Sequence, residues 1–134
     1  MVLKPNQNWP YYDESDLKVV SEVLASGKVN YWTGSHCKDF EKEFAAKIGV
    51  NRSVALANGS FALTAAYMSL NLKKGDEIIT SPRTFIATAS TAVLLGLKPI
   101  FADIDINSGS ITSESIEAVI SNRTKAISVV HLGG

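Results

Sequence analysis

Hydrophobic residues recur along this chain with two periods, and the alternation between them lays out the elements. From Asp13 the spacing is helical: Leu17, Val20, Val23 and Leu24 share a face, Asp13 or Ser15 is placed to cap, acidic residues fill the first turn, and Ser26-Gly27 ends the run. A second helix is expected from Ser35, with Phe40, Phe44 and Ile48 at four-residue intervals and Gly49 as its stop. The charges on it, Lys38, Asp39, Glu41, Lys42, Glu43 and Lys47, read as a solvated face. The joining stretch, Lys28 to Gly34, carries Tyr31 and Trp32 in a loop, where such rings either pack on a core or line a site. Met1 to Pro10 has no period and reads as an extended arm. With Trp9, Tyr11 and Tyr12 in or beside it, the arm is expected to pack on this domain or on a second subunit.

The period then changes. Ser53 to Ala57 is a short apolar run suited to a strand covered on both faces, Asn58-Gly59-Ser60 is a turn, and an amphipathic helix runs to about Leu72. The same order repeats: Lys73 to Asp76 turns, Glu77 to Thr80 is a strand, Ser81-Pro82 breaks it, and Phe85 to Leu95 is a helix. Gly96 to Pro99 turns into a strand over Pro99 to Asp103, Asp105 to Gly109 loops, Thr112 or Ser113 caps a helix to about Ile120, and Thr124 to Val130 is a last strand. Strands alternating with helices at this spacing predict an α/β fold, a mostly parallel sheet flanked by helices and connected by right-handed crossovers.

Such sheets bind ligands beyond the carboxyl ends of their strands. Two turns fall there. At Asn58-Gly59-Ser60 a helix begins with backbone N–H groups that have no intrahelical partner, Gly59 keeps no side chain between backbone and ligand, and Ser60 adds a hydroxyl. That turn either holds an anion such as a phosphate or is ordinary strand-to-helix chemistry with Ser60 as cap. The second turn, Ser81 to Phe85, offers an aromatic ring at Phe85. A ring beside an anion site suits a ligand with both a flat ring and a phosphate, and pyridoxal phosphate (PLP) is one.

Composition narrows the class further. The 134 residues are 46% hydrophobic and 19% charged, enough for an ordinary folded domain, and thirteen basic residues balance thirteen acidic ones without a basic cluster for nucleic acid. The apolar stretches are shorter than a membrane span and the start lacks a signal peptide's hydrophobic region, so the expected location is the cytoplasm. Cys37 is the only cysteine and reads as a small buried hydrophobe; with two histidines, His36 and His131, no metal site is expected.

Seven segments in order, EVLASG (Glu22 to Gly27), YWTGS (Tyr31 to Ser35), DFEKEFA (Asp39 to Ala45), ANGSFAL (Ala57 to Leu63), GDEIITSPRTFIATAS (Gly75 to Ser90), FADID (Phe101 to Asp105) and RTKAISVVHLGG (Arg123 to Gly134), resemble the amino-terminal part of the DegT/DnrJ/StrS family of sugar aminotransferases. The resemblance runs from about Asn8 to the last residue. It implies a fold-type-I, aspartate-aminotransferase-like PLP enzyme of which residues 1–134 form the amino-terminal part of the large cofactor-binding domain. It places the cofactor phosphate on Gly59 and Ser60, the pyridine ring on Phe85, and Tyr31, Trp32 and Thr33 near the mouth of the site. His131, which follows the last strand, either approaches the cofactor or is a structural histidine. One departure is Phe61, a large apolar group where the family often has a small or acidic residue.

The implied reaction is transfer of an amino group from an amino acid to a nucleotide-linked keto-sugar, in polysaccharide or deoxysugar biosynthesis, by a homodimer. Family members are longer, and the lysine that bonds the cofactor and the acid that pairs with its ring nitrogen fall after the position matching Gly134. No catalytic residue is therefore expected within this chain, which is expected to be a fragment inactive alone and prone to associate through apolar surface around Trp9, Trp32 and the last strand. A sugar dehydratase of the same family, or a non-catalytic interaction module, are the other readings.

Overall fold

The computed structural model describes residues 10–132, and the chain divides into two compact units between Ala55 and Leu56. The expectations for Met1 to Trp9, including the role of Trp9 in the arm, lie outside the described residues.

The first unit contains two helices, α1 (Glu14–Ser26) and α2 (His36–Ile48). Asp13 caps α1: its carboxylate accepts from the Ser15 and Asp16 amides while the Asp16 side chain accepts from the Asp13 amide, a reciprocal box that satisfies groups the helix leaves open. Gly27 and Gly49 end the two helices in the left-handed conformation, as their sequence positions suggest. The apolar stripes are less buried than their periodicity implies. Leu17, Val20 and Leu24 are exposed, and so are Phe40, Phe44 and Ile48, although the Phe40 and Phe44 rings lie 5.6 Å apart. Tyr11 and Tyr12 are exposed as well. Cys37 is also exposed, correcting the buried reading: it sits in the first turn of α2, beside a cleft of about 500 Å³ lined by Val19, Val23 and Leu24, and no described residue covers it.

Glu41 corrects the reading of α2's charges as wholly solvated. Its carboxylate accepts from the Tyr31 hydroxyl (3.1 Å) and the Ala55 amide (2.8 Å), and its carbonyl accepts from Ser53 Oγ (2.6 Å). The expected strand over Ser53 to Ala57 is not formed. This apolar run has no ladder partner among the described residues and bends at Ala57, and Val54 is 74% exposed. The Glu41 contacts replace part of what a neighbouring strand would supply.

The second unit is α/β. It holds α3 (Gly59–Ser69), β1 (Glu77–Thr80), α4 (Ala87–Leu94), β2 (Lys98–Phe101), α5 (Ser113–Glu117) and β3 (Thr124–Ser128). The strands form one parallel sheet in the order β2-β1-β3. The central strand β1 is buried along its whole length, as the unbroken Ile78-Ile79 pair requires, and each isoleucine contributes about 1.5–3 kcal/mol by leaving water. Helices α3 and α4 pack together over Ile78, with Tyr67, Ala92 and Leu97 completing a core that Leu63, Leu72, Leu95 and Ala126 flank. α5 starts at a Thr112–Ser115 capping box and is shorter than its sequence pattern suggests.

Two polar contacts fix this unit. At the amino end of the sheet the buried Glu77 carboxylate accepts from Ser121 Oγ and pairs with Arg123 at 2.8 Å. On the helix side, Tyr67 Oη donates to the Thr88 carbonyl (3.0 Å) and lies 3.1 Å from Ser128 Oγ. A phenol has one proton, so the serine hydroxyl supplies the second of these bonds.

Tyr67→Phe leaves the Thr88 carbonyl and Ser128 hydroxyl without this partner, and is expected to cost about 1–3 kcal/mol in denaturant unfolding. The Ser121 hydroxyl, aided by Arg123, holds the Glu77 carboxyl below its ordinary value against the effect of burial. Its protonation is thus harder folded than unfolded. The stability it contributes is present above the unfolded value of about 4.3 and is lost as pH falls through the lower folded value. Melting temperature should therefore fall on acidification, with a shallower slope in Glu77→Gln; equal slopes would remove Glu77 from the account.

Candidate functional site

The carboxyl edge of the sheet is where both candidate turns of the second unit emerge. β1 runs into Ser81 to Ile86 and then α4, so α4 begins at that edge. α3 begins there too. Its last residues connect through the short Leu70 to Asp76 segment to the opposite, amino end of β1, and Tyr67, well along the helix, already reaches Ser128 at the carboxyl end of β3. Helical side chains lean toward the helix start, so the first turn of α3 projects past the edge.

The start of α3 is set by Asn58, the first residue of the turn. Asn58 is extended, and its side-chain oxygen accepts from the Phe61 amide at 3.0 Å. The cap is therefore Asn58 and not Ser60, which frees Ser60 for another partner. The Ala62 amide donates to the Asn58 carbonyl (3.0 Å), whereas the Gly59 and Ser60 amides and the Ser60 hydroxyl donate to nothing among the described residues. A Cβ built on Gly59 would meet no atom within 4 Å. Two amides unpaired among the described residues, one hydroxyl and an open approach are the groups that anion binding calls for, and the helix dipole favours negative charge there. Phe61, the departure from the family pattern, is exposed and leaves this arrangement intact.

Phe85 stands at the end of the loop after β1 with its side chain 74% exposed. Its backbone is fixed from both sides. Ser81 Oγ accepts from the Arg83 amide at 3.0 Å, Thr84 and Thr88 share a hydroxyl hydrogen bond of 2.9 Å, and the Thr88 amide donates to the Phe85 carbonyl at 3.1 Å. His131 follows β3 on the same edge and is exposed.

Tyr31, Trp32 and Thr33 belong to the first unit. Asn30 organises them: its side-chain oxygen accepts from the Trp32 and Thr33 amides and the Thr33 hydroxyl, and its carbonyl accepts from the Gly34 amide at 2.8 Å. Tyr31 is held by Glu41, whose hydrogen bond raises the phenol above its ordinary value, and Lys38 lies 5.4 Å from its ring centre. Trp32 packs edge-on against Tyr31 and is 85% exposed, so the packing reading does not hold for the indole. Asn30 could have been found from sequence, since asparagine ahead of a turn commonly accepts its amides.

A small all-parallel sheet flanked by helices, with the start of α3 and the Phe85 loop at its carboxyl edge, is the architecture of PLP aminotransferases. The chain belongs to the DegT/DnrJ/EryC1/StrS aminotransferase family, whose signature matches residues 10–134, and PLP is that family's cofactor. It is 41% identical, over 100% of its own length, to spore coat polysaccharide biosynthesis protein SpsC of Bacillus subtilis (strain 168), and covers 35% of that protein. The aminotransferase from Psychrobacter cryohalolentis superposes with a TM-score of 0.93 at 45% identity, over 97% of this chain and 33% of that one. A GDP-4-keto-6-deoxymannose-3-dehydratase with a trapped PLP–glutamate adduct superposes with a TM-score of 0.76 at 32% identity, over 87% of this chain and 31% of that one. The chain thus spans about a third of the length of the relatives it matches.

The anion site can be separated from helix stability by two substitutions. Asn58→Ala removes the cap and is expected to cost about 0.5–2 kcal/mol in thermal or denaturant unfolding. Gly59→Ala meets no steric obstacle and restricts the unfolded chain, so stability should hold or rise by about 0.4–1 kcal/mol. The new methyl occupies the approach to the amides, however, and affinity for PLP by equilibrium titration should drop. Unchanged affinity would show that no anion docks at Gly59.

Proposed function

We propose that this chain supplies the phosphate- and ring-binding part of a PLP-dependent aminotransferase. In this reading the enzyme moves an amino group from an amino-acid donor to the keto carbon of a nucleotide-linked sugar, in polysaccharide or deoxysugar biosynthesis. The observation that carries the reading is the pair of unpaired amides at Gly59 and Ser60 on the edge from which Phe85 also emerges. The spore-coat polysaccharide relative supports the pathway class, and the dehydratase, named for a nucleotide-linked keto-sugar, supports the substrate class.

The residues present fit the cofactor. The Gly59 and Ser60 amides and the Ser60 hydroxyl would hold the phosphate dianion, with the α3 dipole supplying positive potential and no lysine or arginine needed. The exposed Phe85 ring would pack on the pyridine and exclude water from it. When bound, PLP supplies the electron sink for the transfer. His131, on the same edge, is assigned a substrate hydrogen bond. The preset Asn30 to Gly34 turn assigns Tyr31, Trp32 and Thr33 to substrate contact, the indole giving a flat apolar surface. Residues 1–134 are assigned to the amino-terminal part of the large domain, in a cytoplasmic homodimer. Among the described residues no helix is long and apolar enough to cross a membrane.

The test is to incubate the whole protein with PLP, glutamate or glutamine, and nucleotide-linked keto-sugars. An amino-sugar nucleotide and an oxo acid are expected. A deoxygenated sugar without nitrogen would replace the transferase with the dehydratase, and failure to take up PLP would overturn both. Residues 1–134 alone, treated with PLP and borohydride, should label lysines only in a scattered, substoichiometric way. Stoichiometric labelling of one lysine with turnover would contradict the division of labour proposed for this chain.

A further inference from the structure

Arg83 is the one charged side chain in the loop after β1, and nothing in the anion site uses it. Its guanidinium lies directly over Gly109, in the loop between β2 and α5. A Cβ built on Gly109 would collide with Arg83 Nη1 and fall 3.1 Å from Cζ and 3.7 Å from Cδ. Gly109 is buried and has φ +67°, in the left-handed region, so any side chain there is strained and also displaces the arginine.

The surface on which the guanidinium rests is firm. Asp105 accepts from the Asn107 and Ser108 amides through its carboxylate and from the Gly109 amide through its carbonyl at 2.8 Å. The Asp105 amide in turn donates to the Ser110 carbonyl at 3.0 Å, and Ile104 and Ile111 form an antiparallel bridge that closes the loop's base. The hydrogen bond from the Ser108 amide, more than any other contact, keeps the Asp105 carboxyl below its ordinary value.

We infer that Arg83 is a positioning residue for Phe85: by resting on Gly109 it fastens the loop after β1 to the loop after β2 and sets the plane of the exposed Phe85 ring. The main chain of Arg83 is bonded through Ser81 Oγ, and from Thr84 onward the loop is bonded to Thr88. Phe85 lies between these two sets of bonds, two residues past the arginine. With the guanidinium removed, the Ser81–Arg83 bond alone holds the leading side of the loop, and that bond is short-range and cannot fix the loop against the rest of the sheet edge. The role of the Phe85 ring against the cofactor rests on the function proposed above; the fastening of the loop does not.

The experiment compares the whole protein with Arg83→Ala, Arg83→Met, Phe85→Ala and the double substitution Arg83→Ala/Phe85→Ala. Without cofactor, hydrogen–deuterium exchange over residues 81–90 should quicken in Arg83→Ala and Arg83→Met while the peptides of β1 and β3 keep their protection. With PLP, both single arginine variants should release cofactor about 3- to 10-fold faster and lose induced circular dichroism of the bound ring. Arg83→Ala should not speed release further once Phe85 is alanine, because the arginine acts through that ring. Unchanged exchange in Arg83→Ala overturns the inference, and so does an equal effect on release in the Phe85→Ala background. Failure of the unsubstituted protein to bind PLP would instead overturn the proposed function, and the exchange measurement would still decide whether Arg83 fastens the loop.

Discussion

The Tyr67 hydroxyl is the contact on which the geometry of the second unit turns. Tyr67 sits on α3, Thr88 opens α4, and Ser128 closes β3; one phenol oxygen joins all three. Ser128 is itself held, since its carbonyl accepts from Thr80 Oγ1 at the end of β1 at 2.9 Å. Both helices that begin at the carboxyl edge are thus tied to the ends of two strands. An unpaired phenol in this core would be costly, so the network is favoured only as a complete set. Its consequence is positional. The first turn of α3, with its free amides, and the loop carrying Phe85 cannot drift independently while that set is intact.

Much of this was legible in the sequence, and the failures have physical causes. β1 was readable to the residue because Glu77 to Thr80 is an apolar pair flanked by turn chemistry on both sides. The glycines after α1 and α2 gave the helix ends, since only that residue adopts the left-handed cap without strain. The Ser53 to Ala57 strand was not formed because a strand is a pairing property: composition shows that a segment suits a sheet but not that a neighbour is present to bond it. The stripes of α1 and α2 show the same limit, because periodicity tells which face is apolar and not what covers it. The buried reading of Cys37 followed its residue type's average and not its place in the first turn of α2, where it is exposed.

Gly59, Ser60 and Phe85 were chosen from turn chemistry and topology, and the structure brings their two turns to one edge of the sheet, while the family resemblance supplied the ligand proposed for them. Of the two readings of the Asn58-Gly59-Ser60 turn, the one with Ser60 as cap does not hold. Asn58 and Ser60 are both good cap residues, and which one serves depends on where the chain enters the helix, a backbone fact. That choice has chemical weight, because a serine engaged as cap could not offer its hydroxyl to an anion. Arg83 and Gly109 were invisible for another reason. They come from loops after different strands, and no local pattern announces that they meet. Glu41 is similar: charge on a helix face usually faces water, and only the fold brings Tyr31 and Ala55 to it.

The central claim is that the start of α3 is a preformed anion site whose occupant is the cofactor phosphate. A crystal structure of the whole protein with PLP bound tests it most directly. The account predicts phosphate oxygens at hydrogen-bond distance, about 2.7–3.2 Å, from the Gly59 and Ser60 amide nitrogens, with the pyridine ring against Phe85. A phosphate held elsewhere, with those two amides still unpaired or turned to protein, would contradict it.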